Sequence, residues 1–128
     1  MENLTIEATE RSPEIDFDFK NNIFSLQGES YPEDISEFYG PGSEPLEEHL
    51  NNCKGQEITF NFELIYFNSS SAKILMGLFD LLDETAENEN SVTVNWYFVE
   101  DDDNMEELGE EFGEDLEHAV FNLITKEE

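Results

Sequence analysis

The stretch FNSSSAKIL, residues 67–75, places three hydroxyl groups in a row where a strand pattern ends and a helical pattern begins. Ser69, Ser70 and Ser71 are candidates for covalent modification, because a serine at such a turn can accept a phosphate. The phosphate would face the free amides and the positive dipole end of the following helix. Lys73 lies four residues beyond Ser69 and could pair with that phosphate within one helical turn.

The same residues also have a purely structural interpretation. Asn68 or one of the serines makes a good N-cap, which accepts hydrogen bonds from the first free helix amides and contributes about 1 kcal/mol. Only one residue can occupy the N-cap, so capping leaves the other hydroxyl groups unexplained. For Lys73, the corresponding alternative is an ordinary surface ion pair with a nearby acid.

Catalytic and metal-binding patterns are missing from the rest of the sequence. His49 and His118 fall in separate predicted elements, with no HxxxH pair and no neighbouring cysteine, so we predict no metal site. Cys53 is the single cysteine, which rules out an internal disulfide and fits a reducing compartment. GPGSEP, residues 40–45, lacks the spacing and the lysine of a phosphate-binding loop. We therefore predict a protein that is not an enzyme and uses no cofactor.

An acidic run over residues 100–117 contains eleven carboxylates and no basic residue. An EF-hand loop beginning at Asp101 would need an oxygen ligand at Met105, glycine at Glu106 and glutamate at Phe112, and it fails at all three. We interpret the run as a solvated helix face, with weak cation binding as the alternative.

The overall composition limits the classes of partner. The chain has 128 residues, 33 acidic against 5 basic, for a net charge of −28. Nucleic acids and anionic membrane surfaces should repel it, whereas a basic partner is favoured. Its hydrophobic content of 38%, with eleven phenylalanines, indicates a folded core. The sequence shows no signal-peptide pattern and no apolar run of roughly twenty residues, so we expect a soluble, cytoplasmic protein.

Apolar periodicity predicts a single α/β domain over residues 1–128: a β-hairpin, followed by alternating helices and strands in a mixed sheet with helices packed on it. The hairpin turn should lie at Lys20, Asn21 and Asn22, because asparagine tolerates the positive φ that tight hairpin turns need. Strands are predicted at residues 15–19, 22–28, 57–67, 91–100 and, as an edge strand, 119–125. Helices are predicted from Pro32, interrupted at residues 40–45 and resumed to Gly55; from the serines to residues 85–91; and over residues 101–117.

The strongest predicted strand, residues 57–67, sets the expected position of the serines. Its alternation places Ile58, Phe60, Phe62, Leu64 and Tyr66 on one face. Both faces turn apolar near its end, as in a central strand covered on both sides. Functional sites of parallel α/β sheets tend to lie at the carboxyl edge, where the serines would fall. The turn at residues 31–33 should lie nearby, because it follows a strand that ends at the same edge.

Two segments of the sequence together resemble those of a known family. LIYFNSSSAKILMGLFDLLDE, residues 64–84, together with GESYPED, residues 28–34, resembles the SiaC family of bacterial regulatory phosphoproteins. The similarity spans nearly the whole chain, including the N-terminal hairpin, the strand with Trp96 and Tyr97, and the acidic third helix. GxSYPE followed by YxNSSSxK is fairly specific as a combination, whereas neither motif is specific alone.

The resemblance implies a STAS-like fold, similar to anti-sigma-factor antagonists, and a phosphate on the first hydroxyl after the asparagine, which is Ser69. Family members commonly have threonine there, so serine is a departure that leaves Ser70 and Ser71 as alternative acceptors. It also implies a cognate ATP-dependent protein kinase and a PP2C-type phosphatase. The unphosphorylated form would bind and activate a diguanylate cyclase, acting on cyclic-di-GMP and biofilm formation. The residues expected to contact the kinase or another partner are Tyr31, Pro32, Glu33, Asn68, Ser70 and Lys73.

Two functional hypotheses follow from the sequence. The first is a non-catalytic phosphoswitch adaptor, whose partner binding changes when Ser69 carries a phosphate. The second is an acidic interaction protein that binds electrostatically and does not depend on the serines. Binding of the second kind should collapse as salt is added.

Overall fold

Alternating apolar residues build a six-stranded sheet whose strands lie in the order of the sequence. The computed structural model describes residues 3–126. Its strands are β1 (Leu4–Ile6), β2 (Glu14–Asp18), β3 (Ile23–Ser30), β4 (Glu57–Phe67), β5 (Ser91–Val99) and β6 (Val120–Lys126). Its helices are α1 (Ile35–Asn51), α2 (Ser69–Glu87) and α3 (Asp103–Glu114).

The pairing of the strands confirms the predicted mixed sheet. β1, β2 and β3 pair antiparallel. β3, β4, β5 and β6 pair parallel, and a helix connects each of these strands to the next. Asn22 closes the hairpin between β2 and β3 with the expected positive φ of 56°. Strand β6 forms one edge of the sheet, as predicted. The sequence patterns did not predict β1, because three residues are too few to establish an alternation.

The helices cover one face of the sheet, so the expectation that β4 is covered on both sides was wrong. Buried residues in β4 and β5 occur at every second position, and the positions between them are partly exposed. Because the parallel strands follow one another in order, each right-handed crossover returns on the same side. The open face is polar: Asn95 donates to Asn61 at 2.9 Å and accepts from Asn122 at 3.0 Å.

Helix α1 is continuous through residues 40–45, which corrects the predicted interruption there. Pro41 and Pro45 each remove one backbone hydrogen bond. Burial of Leu46 and Leu50 stabilises the helix despite these losses, because it anchors that side of α1 in the core. Tertiary packing therefore keeps α1 helical although two prolines lie within it.

Helix α3 packs on the core through Met105 and Phe112, and it also approaches the sheet closely at two glycines. A Cβ atom added at Gly109 would lie 2.5 Å from Trp96 Cδ1, and one added at Gly113 would clash with Phe121. Trp96 also donates its indole N–H to the carbonyl oxygen of Met105 at 3.0 Å. The helix is shorter than the predicted residues 101–117, because Asp102 is its N-cap and Asp115 its C-cap. Within residues 3–126, no helix combines the length and the apolar character needed to cross a membrane.

Candidate functional site

The first turn of α2 begins at the carboxyl edge of β4, and Asn68 caps it. The Asn68 side chain accepts a hydrogen bond from the Ser71 amide at 2.9 Å, while its own backbone is extended. Ser69, Ser70 and Ser71 are therefore the first three residues of the helix. Since Asn68 does the capping, none of the three serine hydroxyl groups is the N-cap.

Ser71 points into the protein and belongs to a buried chain of hydroxyl groups. Its Oγ donates to the Ser30 carbonyl oxygen at 2.8 Å and accepts from the Ser30 Oγ at 2.7 Å. The Tyr39 hydroxyl lies within hydrogen-bonding distance of Ser30 Oγ. Ser30 has only one hydroxyl proton and gives it to Ser71, so Tyr39 must be the donor in this contact. Burial raises the pKa of Tyr39 more than the Ser30 contact lowers it, which keeps the phenol protonated for this role.

The three serines therefore differ in accessibility. Ser69 and Ser70 are exposed, whereas Ser71 is 0% exposed. An incoming phosphoryl group can reach the first two hydroxyls directly. Reaching Ser71 would require the first turn of α2 to open and the hydroxyl chain to break.

The turn at residues 31–33 lies beside the serines, as predicted from the shared sheet edge. Ser30 pairs with Phe67 in the parallel register of β3 and β4. The Asn68 amide then donates to the Ser30 carbonyl oxygen at 3.1 Å, which ties the two strand ends together. Next to this pair, the rings of Tyr31 and Tyr66 meet edge to face with their centroids 5.7 Å apart.

Two large side chains, Ile65 and Tyr66, are exposed at a bulge in β4 next to this turn. Gly28 pairs with Leu64 and Glu29 with Tyr66, so Ile65 is an extra residue without a partner in the register. Ile65 is 62% exposed and Tyr66 is 50% exposed. The expectation that Tyr66 shares the buried face of β4 was therefore wrong. Gly28, with φ of +121°, is the sequence signal for this irregularity, since glycine within a strand often marks a bulge.

The remaining predicted contact residues lie around the same edge. Pro32 is half-buried, and the exposed carboxylate of Glu33 lies 4.0 Å from the guanidinium of Arg11. Lys73 is exposed, and no carboxylate of residues 3–126 lies within 4.0 Å of its ammonium group. The ordinary surface ion pair considered for Lys73 is thus not formed among these residues.

The start of α2 differs electrostatically from the starts of the other two helices. Helices α1 and α3 are capped by Asp34 and Asp102, and both carry acidic residues in their first turns. Helix α2 has a neutral cap and no acidic residue in its first turn. In a chain with 33 acidic residues, this turn leaves the positive end of the helix dipole without a compensating carboxylate.

The two histidines and the cysteine lie apart from one another, each in its own environment. His49 Nε2 lies 2.7 Å from Asn22 Oδ1, and burial among aromatic rings lowers the pKa of His49. His118 lies at the surface, 3.9 Å from the Glu87 carboxylate. Cys53 is buried, and burial raises the pKa of its thiol. Over residues 3–126, no group of three histidine, cysteine or acidic side chains is arranged to hold a metal ion.

Comparisons with known proteins agree with this geometry. A family model described as "SiaC family regulatory phosphoprotein" matches residues 6–126. An uncharacterised protein of Pseudomonas aeruginosa strain UCBPP-PA14 is 34% identical over 116 residues, which cover 90% of each chain. The crystal structure of apo-SiaC from Pseudomonas aeruginosa superimposes with a TM-score of 0.87 at 33% identity, covering 97% of this chain and 99% of that one. A chain in the crystal structure of the diguanylate cyclase SiaD in complex with its activator SiaC, also from Pseudomonas aeruginosa, matches with a TM-score of 0.89 at 31% identity, covering 96% of this chain and 99% of that one.

Proposed function

The chain belongs to the SiaC family of regulatory phosphoproteins, and on that basis we propose that it is a non-catalytic, cytoplasmic phosphoswitch adaptor. A cognate ATP-dependent protein kinase phosphorylates Ser69, and a PP2C-type phosphatase removes the phosphate. The unphosphorylated form binds and regulates an effector such as a diguanylate cyclase, and so acts on cyclic-di-GMP and biofilm formation. The complex of the related SiaC with the cyclase SiaD supports this class of effector.

The observation that carries the proposal is the environment of Ser69. Its hydroxyl is exposed at the first position of α2, where the first turn contains no acidic residue. A phosphate there would meet free helix amides and the uncompensated positive end of the dipole. Ser70 shares the exposure and is the alternative acceptor, whereas the hydroxyl of Ser71 is already engaged within the core.

A phosphate on Ser69 must act locally. It adds roughly −2 charge, a small change against a net charge of −28. The exposed side chains of Ile65 and Tyr66 come shortly before it in the sequence, at the same sheet edge. We assign these two residues, with Tyr31, to the surface that the effector covers. A dianionic group at the border of an apolar contact would have to lose its hydration on binding, which disfavours the complex.

The test combines mass spectrometry with effector binding. Phosphopeptide mapping of the protein from its native cells should locate the phosphate on Ser69. Ser69→Ala should bind the effector as the wild type does, whereas enzymatically phosphorylated wild type should lose binding at least about tenfold, equivalent to roughly 1.4 kcal/mol. Ser70→Ala is the matched control and should still be phosphorylated and released. A carboxylate imitates a phosphate imperfectly, so Ser69→Asp serves only as a supporting variant.

Two results would contradict the proposal. One is a phosphate-free residue 67–75 peptide under all growth conditions in cells that contain an active kinase. The other is equal effector binding by the phosphorylated and unphosphorylated forms. Repeating the binding measurement at increasing salt separates this switch from a purely electrostatic interaction, which would weaken steeply with salt and ignore the phosphate.

A further inference from the structure

A groove between α2 and α3 lies further along α2 from the serine turn. Four apolar residues contribute to its lining, and its volume is about 280 Å³. Met76 is the most open of them, with 54% of its surface exposed. The apolar lining residues are Met76, Phe79, Phe112 and Leu116.

The polar residues that line this groove are all acidic. They are Asp80, Asp83, Glu111 and Asp115. Asp83 is already engaged, because its carboxylate accepts hydrogen bonds from the backbone amides of Glu117, His118 and Ala119. The other three carboxylates flank an apolar lining with no basic side chain among the lining residues.

The chemistry of the groove limits what can occupy it. An apolar lining favours an apolar side chain, and unpaired carboxylates favour lysine or arginine around it. A second copy of the chain would bring another −28 of charge, which opposes self-association at this acidic surface. Nucleic acid and anionic lipid are disfavoured for the same reason.

The occupant should also be helical. The groove is lined by side chains of α2, of the last turn of α3 and of the two residues after it, and no strand edge borders it. An extended segment would leave its own amides and carbonyls without partners there, whereas a helix satisfies them internally. Grooves between helices commonly receive the apolar face of an amphipathic helix. An exposed methionine suits this use, because its unbranched side chain adapts to the surface that covers it.

We propose that the α2–α3 groove binds a basic amphipathic helix of a partner protein. An apolar residue of that helix packs between Met76 and Phe112, and its lysines or arginines face Asp80, Glu111 and Asp115. This contact goes beyond the phosphoswitch, since it requires no modification of Ser69. Met76 nevertheless lies seven residues after Ser69, about 10 Å along the helix axis, and on nearly the same side of α2. One partner could therefore cover both.

The probe is a synthetic peptide of about 18 residues, long enough to form a helix. It carries leucines at helical spacing and lysines and arginines elsewhere. A peptide of identical composition with the leucines scrambled is its control. Each peptide is titrated into the full-length, isotope-labelled, unphosphorylated protein and followed by amide chemical shifts. We expect shifts concentrated at residues 76–83 and 108–116 with the amphipathic peptide, and clearly weaker binding of the scrambled one.

Matched variants then test the two components of the groove. Glu111→Lys should lower the affinity for the amphipathic peptide about tenfold. Glu110→Lys makes the same charge change on the same helix outside the groove, so its effect on affinity should be much smaller. Met76→Gln should lower the affinity for this peptide by a similar factor. Val120 is about as exposed as Met76, so Val120→Gln is the control. Equal binding of both peptides, shifts spread over the acidic surface, or equal effects of the paired variants would overturn the proposal. Because only unphosphorylated protein is used, these outcomes do not depend on the Ser69 switch.

Discussion

The side-chain oxygens of Ser30 and Ser71 lie 2.7 Å apart in the buried region between the end of β3 and the start of α2. Tyr39 of α1 extends this contact, so three elements meet in one chain of hydroxyl groups. Each of these groups has a partner, and residues 3–126 contain no buried side-chain nitrogen or oxygen atom without one. These hydrogen-bonded hydroxyl groups hold the first turn of α2 against the sheet, and Ser69 lies on that turn.

Removing the Ser71 hydroxyl should destabilise the fold. In Ser71→Ala, the buried Ser30 hydroxyl loses its acceptor and the Ser30 carbonyl loses a donor, so we expect the free energy of unfolding to fall by about 1–3 kcal/mol. Urea denaturation measures the change. Ser70→Ala removes an exposed hydroxyl one residue earlier and should change stability by less than about 0.5 kcal/mol. Equal losses in the two variants would mean that the buried chain contributes nothing.

Gly109 should not tolerate a side chain, because α3 lies too close to Trp96. Gly109→Ala would place a Cβ atom 2.5 Å from Trp96 Cδ1, and relieving that overlap should cost about 1–3 kcal/mol of stability. Gly77→Ala is the matched control: a Cβ atom there meets nothing within 4 Å, and the better helix propensity should raise stability by up to about 1 kcal/mol. Thermal unfolding of both variants tests the opposite signs. A stabilised Gly109→Ala would refute the close contact.

Asp83 should make stability depend on pH at the acidic end. Partial burial raises the pKa of Asp83, but hydrogen bonds from the amides of residues 117–119 lower it by more, so the pKa lies below its ordinary value of 3.8. A lowered pKa in the folded state adds stability above the ordinary carboxyl range, and this contribution is lost as pH falls through the lowered value. Asp83→Asn should therefore be less stable than the wild type near neutral pH, and the difference should shrink as pH falls below 3.8 through the lowered pKa.

Urea titrations of the wild type and Asp83→Asn across this pH range provide the measurement. Low protein concentration is needed, because the chain's pI is about 4.1. Asp80→Asn, an exposed change one turn earlier on α2, is the control and should show no such closing gap. A constant difference between Asp83→Asn and the wild type at all pH values would contradict the role given to the charge.

Lys73 should stabilise the phosphorylated form of Ser69, if the proposed modification is made there. The two residues are four apart on α2, and the ammonium group of Lys73 has no carboxylate within 4.0 Å among residues 3–126. Lys73→Gln should reduce the stability gained on phosphorylation by about 0.5 kcal/mol. Lys54→Gln, before β4 at the opposite end of the strand, is the control. The measured quantity is the difference in free energy of unfolding between phosphorylated and unphosphorylated protein in each background.

Some features of this protein were readable from local sequence. The alternation in residues 57–67 and 91–99 fixes two central strands, and the spacing of leucines after Ser71 fixes α2. These signals are strong because burial of one face imposes a period of two or of 3.6 residues on the sequence. The GESYPED and NSSSAK segments also carried the resemblance to the family, which the family model over residues 6–126 confirms.

Other features needed the tertiary structure. Pro41 and Pro45 signal a break, yet α1 continues because its apolar side is buried on the sheet. Tyr66 is exposed because the register shifts by one residue between β3 and β4; Gly28 signals an irregularity in β3, but it does not show which side chain of β4 turns outward. Gly109 looks like a weak point of a helix until Trp96 is seen beneath it.

The serine triplet shows this division most clearly. The sequence by itself determined that hydroxyl groups begin α2 at a sheet edge, because strand and helix periodicities change at that point. Only the tertiary structure decided that Asn68 is the cap, that Ser71 is buried against Ser30, and that Ser69 and Ser70 face outward. The physical reason is that each serine's environment depends on β3 and α1, which are distant in sequence and reach the turn only when the sheet forms.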